Sequence, residues 1–328
     1  MRAASVPEGF SVRRVSLDDA GSISDIVNRC MIDEIGLSWT DVEEIRSELE
    51  APGRDGLELD CLIVDERTGD DVAYLQLWND NPPFTEAFAL AYALPEYRGR
   101  GLSACLLRCA ETRARERMHR NDLLRIVLQV ARFQGNDPAR RLFASLGFRY
   151  VRTFFQMQIE LTEPPAAGDV AGIEIRTFDV ERDADGTYAA LAEAFRDHWG
   201  HAFPDPAQWR YRMIDGEGSR FDAGLWFLAC EGPEIVGAAC CRSGTPRDAT
   251  AAEVDELGVR RGWRGRGIGL ALLQRAFVEF GRRGIHRAEL TVDAESPTGA
   301  LGLYRRAGMD VRYASEIWQK DLEGIPEP

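Results

Sequence analysis

WRGRGIGLALL, Trp263 to Leu273, sets three glycines and two arginines into six consecutive residues and then runs straight into an apolar segment. Glycines between a strand and a helix let the backbone turn tightly and leave amide N–H groups unshielded, and the helix N-terminus adds partial positive charge. Such a turn suits a phosphate or diphosphate, and flanking arginines strengthen the attraction. The plainer alternative is a helix-start turn whose arginines face water. YRGRGLSACLL, Tyr97 to Leu107, repeats the pattern, with Arg98 standing 166 residues before Arg264 in a chain of 328. A chain of that length exceeds one small core, so a duplicated fold is the economical expectation.

The same succession of elements surrounds both loops. In the second half IEIRTF is expected as the first strand, Tyr188–Phe195 and Pro206–Met213 as helices, and LWFLAC and IVGAACC as a hairpin about a Gly-Pro turn. AEVDELGV is the next strand, Gly267–Arg282 an amphipathic helix and AELTV a strand. Thr298–Ala307 follows as a helix with its cap at Ser296 or Thr298, and VRYASEIWQ closes the sheet. The first half matches with FSVRRV, helices Asp18–Arg29 and Asp41–Glu50, strands LDCLIV, VAYLQLW and AFALAYAL, helix Gly101–Arg117, strand RIVLQV, helix Pro138–Leu146 and strand FFQMQIEL. TEPPAAGDVAG, rich in Pro, Gly and Ala, reads as a linker between domains at 1–162 and 173–328. The order βααβββαβαβ predicts an α/β fold of the α+β mixed-sheet kind, with two tandem domains, each a mostly antiparallel sheet flanked by helices.

With 45% hydrophobic and 29% charged residues the composition is globular, and no apolar run is long enough for a bilayer. The N-terminus lacks a signal-like apolar segment, so a cytoplasmic location is expected. A net charge of −14 argues against nucleic acid as a partner. Arg260, Arg261, Arg264 and Arg266 nevertheless crowd into seven residues and point to a confined anion site. Seven cysteines without a CxxC pair, two of them adjacent at Cys240 and Cys241, read as reduced core thiols. No metal is expected.

Neighbouring residues sort the phosphate-binding folds. A nucleotide P-loop needs Lys-Ser/Thr after its glycines, where this chain has Ile268-Gly269-Leu270. A Rossmann loop opens a parallel unit at the first strand, whereas this loop follows the fourth strand of an antiparallel series. The sequence instead resembles the GCN5-related N-acetyltransferase family. Arg264-Gly265-Arg266-Gly267-Ile268-Gly269 matches that family's Arg/Gln-x-x-Gly-x-Gly/Ala loop, and Ala300 to Met309, ALGLYRRAGM, its later Ala-x-x-Leu-Tyr-x-x-x-Gly-Phe segment. Arg98-Gly99-Arg100-Gly101-Leu102-Ser103 and Ala139 to Phe148, ARRLFASLGF, match a second time. Tandem domains of this kind are also similar to the mycothiol synthase branch, which implies a cysteinyl amino-sugar as one acceptor; a non-catalytic acyl-CoA-binding module is the other alternative.

The resemblance implies acetyl-CoA as acyl donor, its diphosphate on the loop amides and its pantetheine arm against Leu257, Gly258 and Val259. Transfer to an amine wants a base, an oxyanion donor and an acid. Glu253 stands where the family places a base; Asp255, on the same strand face by the period of two, and Glu256, on the opposite face, compete for the role. Tyr304 stands at the family's acid position. An amide N–H near Leu257 or Gly258, where the strand is expected to bulge, would hold the oxyanion. Ser296 replaces an Asn common in the family and has a shorter reach. In the first half Ala87 and Ala89 take the places of Glu253 and Asp255, Phe143 takes that of Tyr304, and Ser103 replaces the last small loop residue. The N-terminal domain is therefore expected to be catalytically silent, with a second candidate coenzyme loop at Arg98 to Ser103.

The family's acceptor contacts come from the first two helices and their loop. Here that loop holds Asp197, His198, Trp199 and His201, fit either for a polar amine or for an aromatic plug at the sheet edge. Two histidines three apart lack the further ligands a zinc site needs. Asp33 and Glu34 in the first half are either further cleft residues or solvated helix-end charges. An internal pair of domains can replace a dimer, so a monomer is expected.

Overall fold

The computed structural model describes residues 6–50, 60–78, 85–120, 125–162, 168–199, 203–216, 220–245, 248–296 and 298–323. The first half runs β1 (Phe10–Arg14), α1 (Ala20–Ile35), α2 (Val42–Glu50), β2 (Cys61–Asp65), β3 (Asp71–Trp78), β4 (Glu86–Ala93), α3 (Leu102–Arg120), β5 (Arg125–Phe133), α4 (Asp137–Ser145) and β6 (Arg149–Glu160). The second half repeats that order as β7 (Glu174–Thr177), α5 (Val180–Phe195), α6 (Pro206–Arg210), β8 (Trp226–Glu231), β9 (Glu234–Thr245), β10 (Asp248–Val259), α7 (Ile268–Arg282), β11 (Arg287–Asp293), α8 (Ala300–Arg306) and β12 (Asp310–Glu323). The expected order of elements is thus present twice. Helix α6 continues into a π-helical turn, Tyr211–Asp215.

Two compact units form, one of Met1–Thr153 with Ser315–Pro328 and the other of Phe154–Ala314. Within the N-terminal unit the strands lie in the order β1-β2-β3-β4-β5-β12, and within the C-terminal unit in the order β6-β11-β10-β9-β8-β7. Among the described residues within each unit, only β4 with β5 and β10 with β11 pair in parallel. The last strand of each half therefore completes the sheet of the other unit. Ile317 of β12 lies opposite Ala131 of β5, and Met157 of β6 opposite Leu290 of β11. VRYASEIWQ was expected to close the sheet of its own half, and this is the correction. Two homologous strands share one hydrophobic pattern, so pattern alone leaves either pairing open. The choice rests on particular cross-strand partners. Arg287 Nε donates to Glu160 at 2.9 Å and Thr291 Oγ1 to Gln156 at 2.7 Å on one side, and Arg125 meets Asp321 on the other.

Helix α7 earns its place by a stripe of Ile268, Leu272, Leu273, Ala276, Phe277 and Phe280, all buried at helical spacing. Burying each of the two phenylalanines is worth roughly 2–3 kcal/mol, which fixes the helix on the sheet. On the opposite sheet face, α5 packs Ala190, Leu191 and Ala194 into a cluster or contact that a larger strand residue would disrupt. A Cβ at Gly258 would come within 2.9 Å of both Ala194 Cβ and Leu191 Cδ2. No described helix is long and apolar enough to cross a membrane, and no group of three or more metal-binding side chains occurs among the described residues.

Candidate active site

Strand β10 pairs with β11 only from Ala251 opposite Arg287 to Glu253 opposite Glu289. Beyond that point the strands part, although β10 runs on to Val259 and β11 to Asp293. A cavity of about 340 Å³ opens there, lined by Leu257, Gly258 and Val259, by the loop residues Arg264, Gly265, Gly267, Ile268 and Gly269, and by Tyr304 of α8. The loop reaches this edge through two left-handed glycines, Gly265 (φ 79°) and Gly267 (φ 85°), the latter capping α7. First-turn amides of a helix have no partner within it, so those of α7 are available at the cavity wall.

The loop arginines are spent on protein carboxylates and carbonyls. Arg264 donates to Ala194 O at 2.8 Å and to Val259 O at 3.2 Å, and pairs with Asp197 at 3.1 Å. Arg261 also pairs with Asp197, Arg260 with Glu193 and Arg266 with Glu231. The expected cluster of free positive charge is in fact a set of clamps that tie the loop to α5 and β8. Asp197, expected at the acceptor, is one of these clamps; the hydrogen bond from Arg264 and the charge of Arg261 hold it below the usual carboxylate range. Arg306 of α8, which the motifs did not single out, lines the cavity and has no ion-pair partner among the described residues.

Glu253 sits at the point of the split, partly exposed, opposite Arg242 of β9 and Glu289 of β11. The expected bulge exists, but earlier than Leu257. Val254 faces Cys241 and Glu256 faces Cys240, leaving Asp255 as the extra residue. The bulge resets the alternation, so Glu256 lies on the same side as Glu253 and Arg242, and the expectation of opposite faces is corrected. Glu256 is fully engaged there, accepting from Trp209 Nε1 at 3.0 Å and Arg212 at 2.9 Å. Asp255 lies 2.6 Å from Arg242 Nε without hydrogen-bond alignment, and burial pushes its carboxyl up to about 7 against the pull of Arg242. Of the three carboxylates, Glu253 alone is partly open and not bound to an arginine among the described residues.

Tyr304 is 8% exposed, and burial raises its hydroxyl to about 12, so it keeps its proton at any working pH. His198 lines the same cavity beyond the end of α5, its ring edge-on to Phe195 at 4.5 Å, and burial lowers its basicity. Trp199 turns instead to Phe154, and His201 lies outside the described residues. Ser296 pairs with the Thr298 hydroxyl at 2.8 Å, and it is Thr298 that lines the cavity. The α8 cap is Gly299, at φ 72°, rather than Ser296 or Thr298. Phe195, Trp263, Thr298, Gly299 and Leu303 are also part of the wall. None carries a reactive group, so only their adjacency to the two motifs could have marked them.

The family model described as "Acetyltransferase (GNAT) family" matches this sequence twice, over residues 25–148 and 187–309. The chain belongs to the GNAT acetyltransferase family. It is an N-acetyltransferase of the tandem type. The mycothiol acetyltransferase of Streptomyces scabiei is 31% identical over 84% of this chain and 85% of that protein. Among solved structures, a GCN5-related N-acetyltransferase from Sphaerobacter thermophilus is 32% identical, covers 98% of both chains and superposes with a TM-score of 0.84. A tandem GNAT protein of the clavulanic acid biosynthesis pathway, 17% identical with a TM-score of 0.67 over 97% of this chain and all of that one, shares the fold.

The other GNAT copy keeps the loop but has alanines at the positions of Glu253 and Asp255 and a phenylalanine at that of Tyr304. Gly99 (φ 79°) and Gly101 (φ 84°) repeat the left-handed turns, Arg98 clamps Asp33, and Arg100 lies 4.8 Å over the Tyr97 ring. Leu102 is buried and Ser103 half-buried in the first turn of α3. Ala87 and Ala89 are buried strand residues, and Phe143 packs its ring 6.0 Å from those of Phe148 and Trp318.

Proposed function

We propose that the C-terminal unit transfers the acetyl group of acetyl-CoA to the primary amine of a small molecule. One observation carries the reading: a buried, protonated Tyr304, the unpaired edge of Leu257 to Val259 and the amide-rich glycine turn share a single cavity. Acetyl-CoA supplies an activated thioester. The amides at Gly265 to Gly269 and the N-terminus of α7 take its diphosphate, Arg306 adds charge at the rim, and the edge of β10 holds the pantetheine arm. Glu253, directly or through a water, takes the proton that the amine loses as its nitrogen bonds the acetyl carbon. An amide N–H at Leu257 or Gly258 steadies the carbonyl oxygen. Tyr304 protonates the sulfur as the C–S bond breaks. Asp197 positions the loop, and His198 and Trp199 belong to the acceptor side.

The similarity to the Streptomyces scabiei mycothiol acetyltransferase over most of both chains favours a second, narrower reading, in which the amine belongs to a cysteinyl amino-sugar. Thiol release from acetyl-, propionyl- and succinyl-CoA against a panel of small amines that includes that sugar tests both. Turnover of simple amines with the sugar refused removes the narrower reading, and no release from any pair rejects the enzyme as drawn.

A further inference from the structure

The two glycine turns are so alike that the loop alone assigns a coenzyme to each unit. What differs lies beside them. In the C-terminal unit the parallel strands separate after Glu253, helped by the bulge at Asp255. In the N-terminal unit β4 pairs with β3 without a break from Ala73 opposite Ala93 to Trp78 opposite Phe88, and with β5 as far as Ala89 opposite Val130. Since Ala87 lies opposite Leu128 as Glu253 lies opposite Glu289, the N-terminal split starts two residues later.

The first side chain beyond that split is also occupied. Equivalent clamps, Arg98 on Asp33 and Arg264 on Asp197, put Glu34 at the position of His198, and the strand register puts Arg132 at that of Asp293. His198 lines a cavity. Glu34, just after Asp33 in the last turn of α1, is instead ion-paired to Arg132 of β5, whose side chain is only 4% exposed. Asn136 donates to the same Glu34 oxygen at 2.9 Å, and the guanidinium sits 6.0 Å over Phe143, the residue at the place of Tyr304. Arg140 and Glu316 brace the same region from α4 and β12. A bridge from the α1 end to β5 thus ties together the positions equivalent to His198 and Asp293, and to admit an acyl-CoA arm between them the unit would have to part a buried guanidinium from its half-buried carboxylate.

We propose that the Glu34–Arg132 pair bolts the N-terminal cleft shut, so that the full chain binds one acyl-CoA rather than two. The inference rests on the acyl-CoA reading of the C-terminal unit. It gives the silent unit a definite state: a coenzyme turn retained as architecture, with the arm's channel filled by an ion pair.

Titration calorimetry of the full chain with CoA tests it. One site is expected, abolished by Gly267→Val and untouched by Gly101→Val. The double substitution Glu34→Leu, Arg132→Met removes both charges together, which avoids stranding either one; stoichiometry should then rise from one toward two. Two sites in the unaltered chain, or a folded double variant still limited to one site, would each overturn the bolt while leaving the C-terminal reading intact; a single site lost with Gly101→Val and kept with Gly267→Val would overturn both. No binding at all would sink that reading and the proposal with it. Should the double variant fail to fold, hydrogen exchange on the unaltered chain decides: CoA is expected to protect residues 264–269 and leave 98–103 unchanged, and protection of both turns overturns the proposal.

Discussion

Tyr304→Phe removes one oxygen from the cavity and little else. The ring is 8% exposed and packs with the α7 and α8 cluster, and its hydroxyl has no hydrogen-bond partner among the described residues. Stability should therefore change by less than about 1 kcal/mol. Loss of a positioned general acid is worth roughly 10²–10⁴ in rate, or about 3–5 kcal/mol of barrier. Because the hydroxyl is raised to about 12, the unaltered enzyme should show no alkaline loss of kcat from this group below roughly pH 10–11. The assay is CoA release at saturating acetyl-CoA with unfolding followed in parallel. A kcat within twofold of the parent, at unchanged stability, would refute the role of Tyr304.

Three further outcomes follow from the same geometry. Gly258→Ala places a methyl 2.9 Å from Ala194 and Leu191, so it should cost about 1–3 kcal/mol and raise KM for acetyl-CoA by loosening α5; unchanged thermal unfolding would show the contact to be slack. Arg306→Gln should raise KM for acetyl-CoA about fivefold to tenfold with kcat kept, from one lost charge-assisted contact, and comparison with dephospho-CoA tells whether the terminal phosphate or the diphosphate is its partner; an unchanged KM removes the contact. Asp255 holds its proton to about 7 in the folded chain against 3.8 unfolded, so the native state binds more protons between those values and stability falls as pH rises through them. Denaturant unfolding at pH 5 and pH 8 should show that fall, at most ~2.7 kcal/mol for the two units between pH 5 and 7, flattened in Asp255→Asn; equal slopes for the two proteins would contradict the burial argument.

Local signals carried most of the architecture. Each glycine turn, apolar helix stripe and strand alternation is written within about 20 residues, and the later motif fixes Tyr304 against the loop across only one helix and one strand. Long-range facts were not legible. Which unit receives β6 or β12 depends on partners such as Arg287 with Glu160, more than a hundred positions apart. The bulge at Asp255 is set by β9 across the sheet, and a shift of one residue was enough to bring Glu256 round to the side of Glu253. Charge crowding at Arg260 to Arg266 did not reveal its own partners, because the acidic residues that absorb it, Glu193, Asp197 and Glu231, come from elements far away in sequence.

Crystals of the full chain grown with CoA put the central claim to its most direct test. The diphosphate is expected on the amides of residues 265–269, the arm along Leu257 to Val259 and the thiol sulfur within hydrogen-bonding distance of the Tyr304 hydroxyl. A coenzyme seated elsewhere, or a Tyr304 hydroxyl turned from the sulfur, would contradict it.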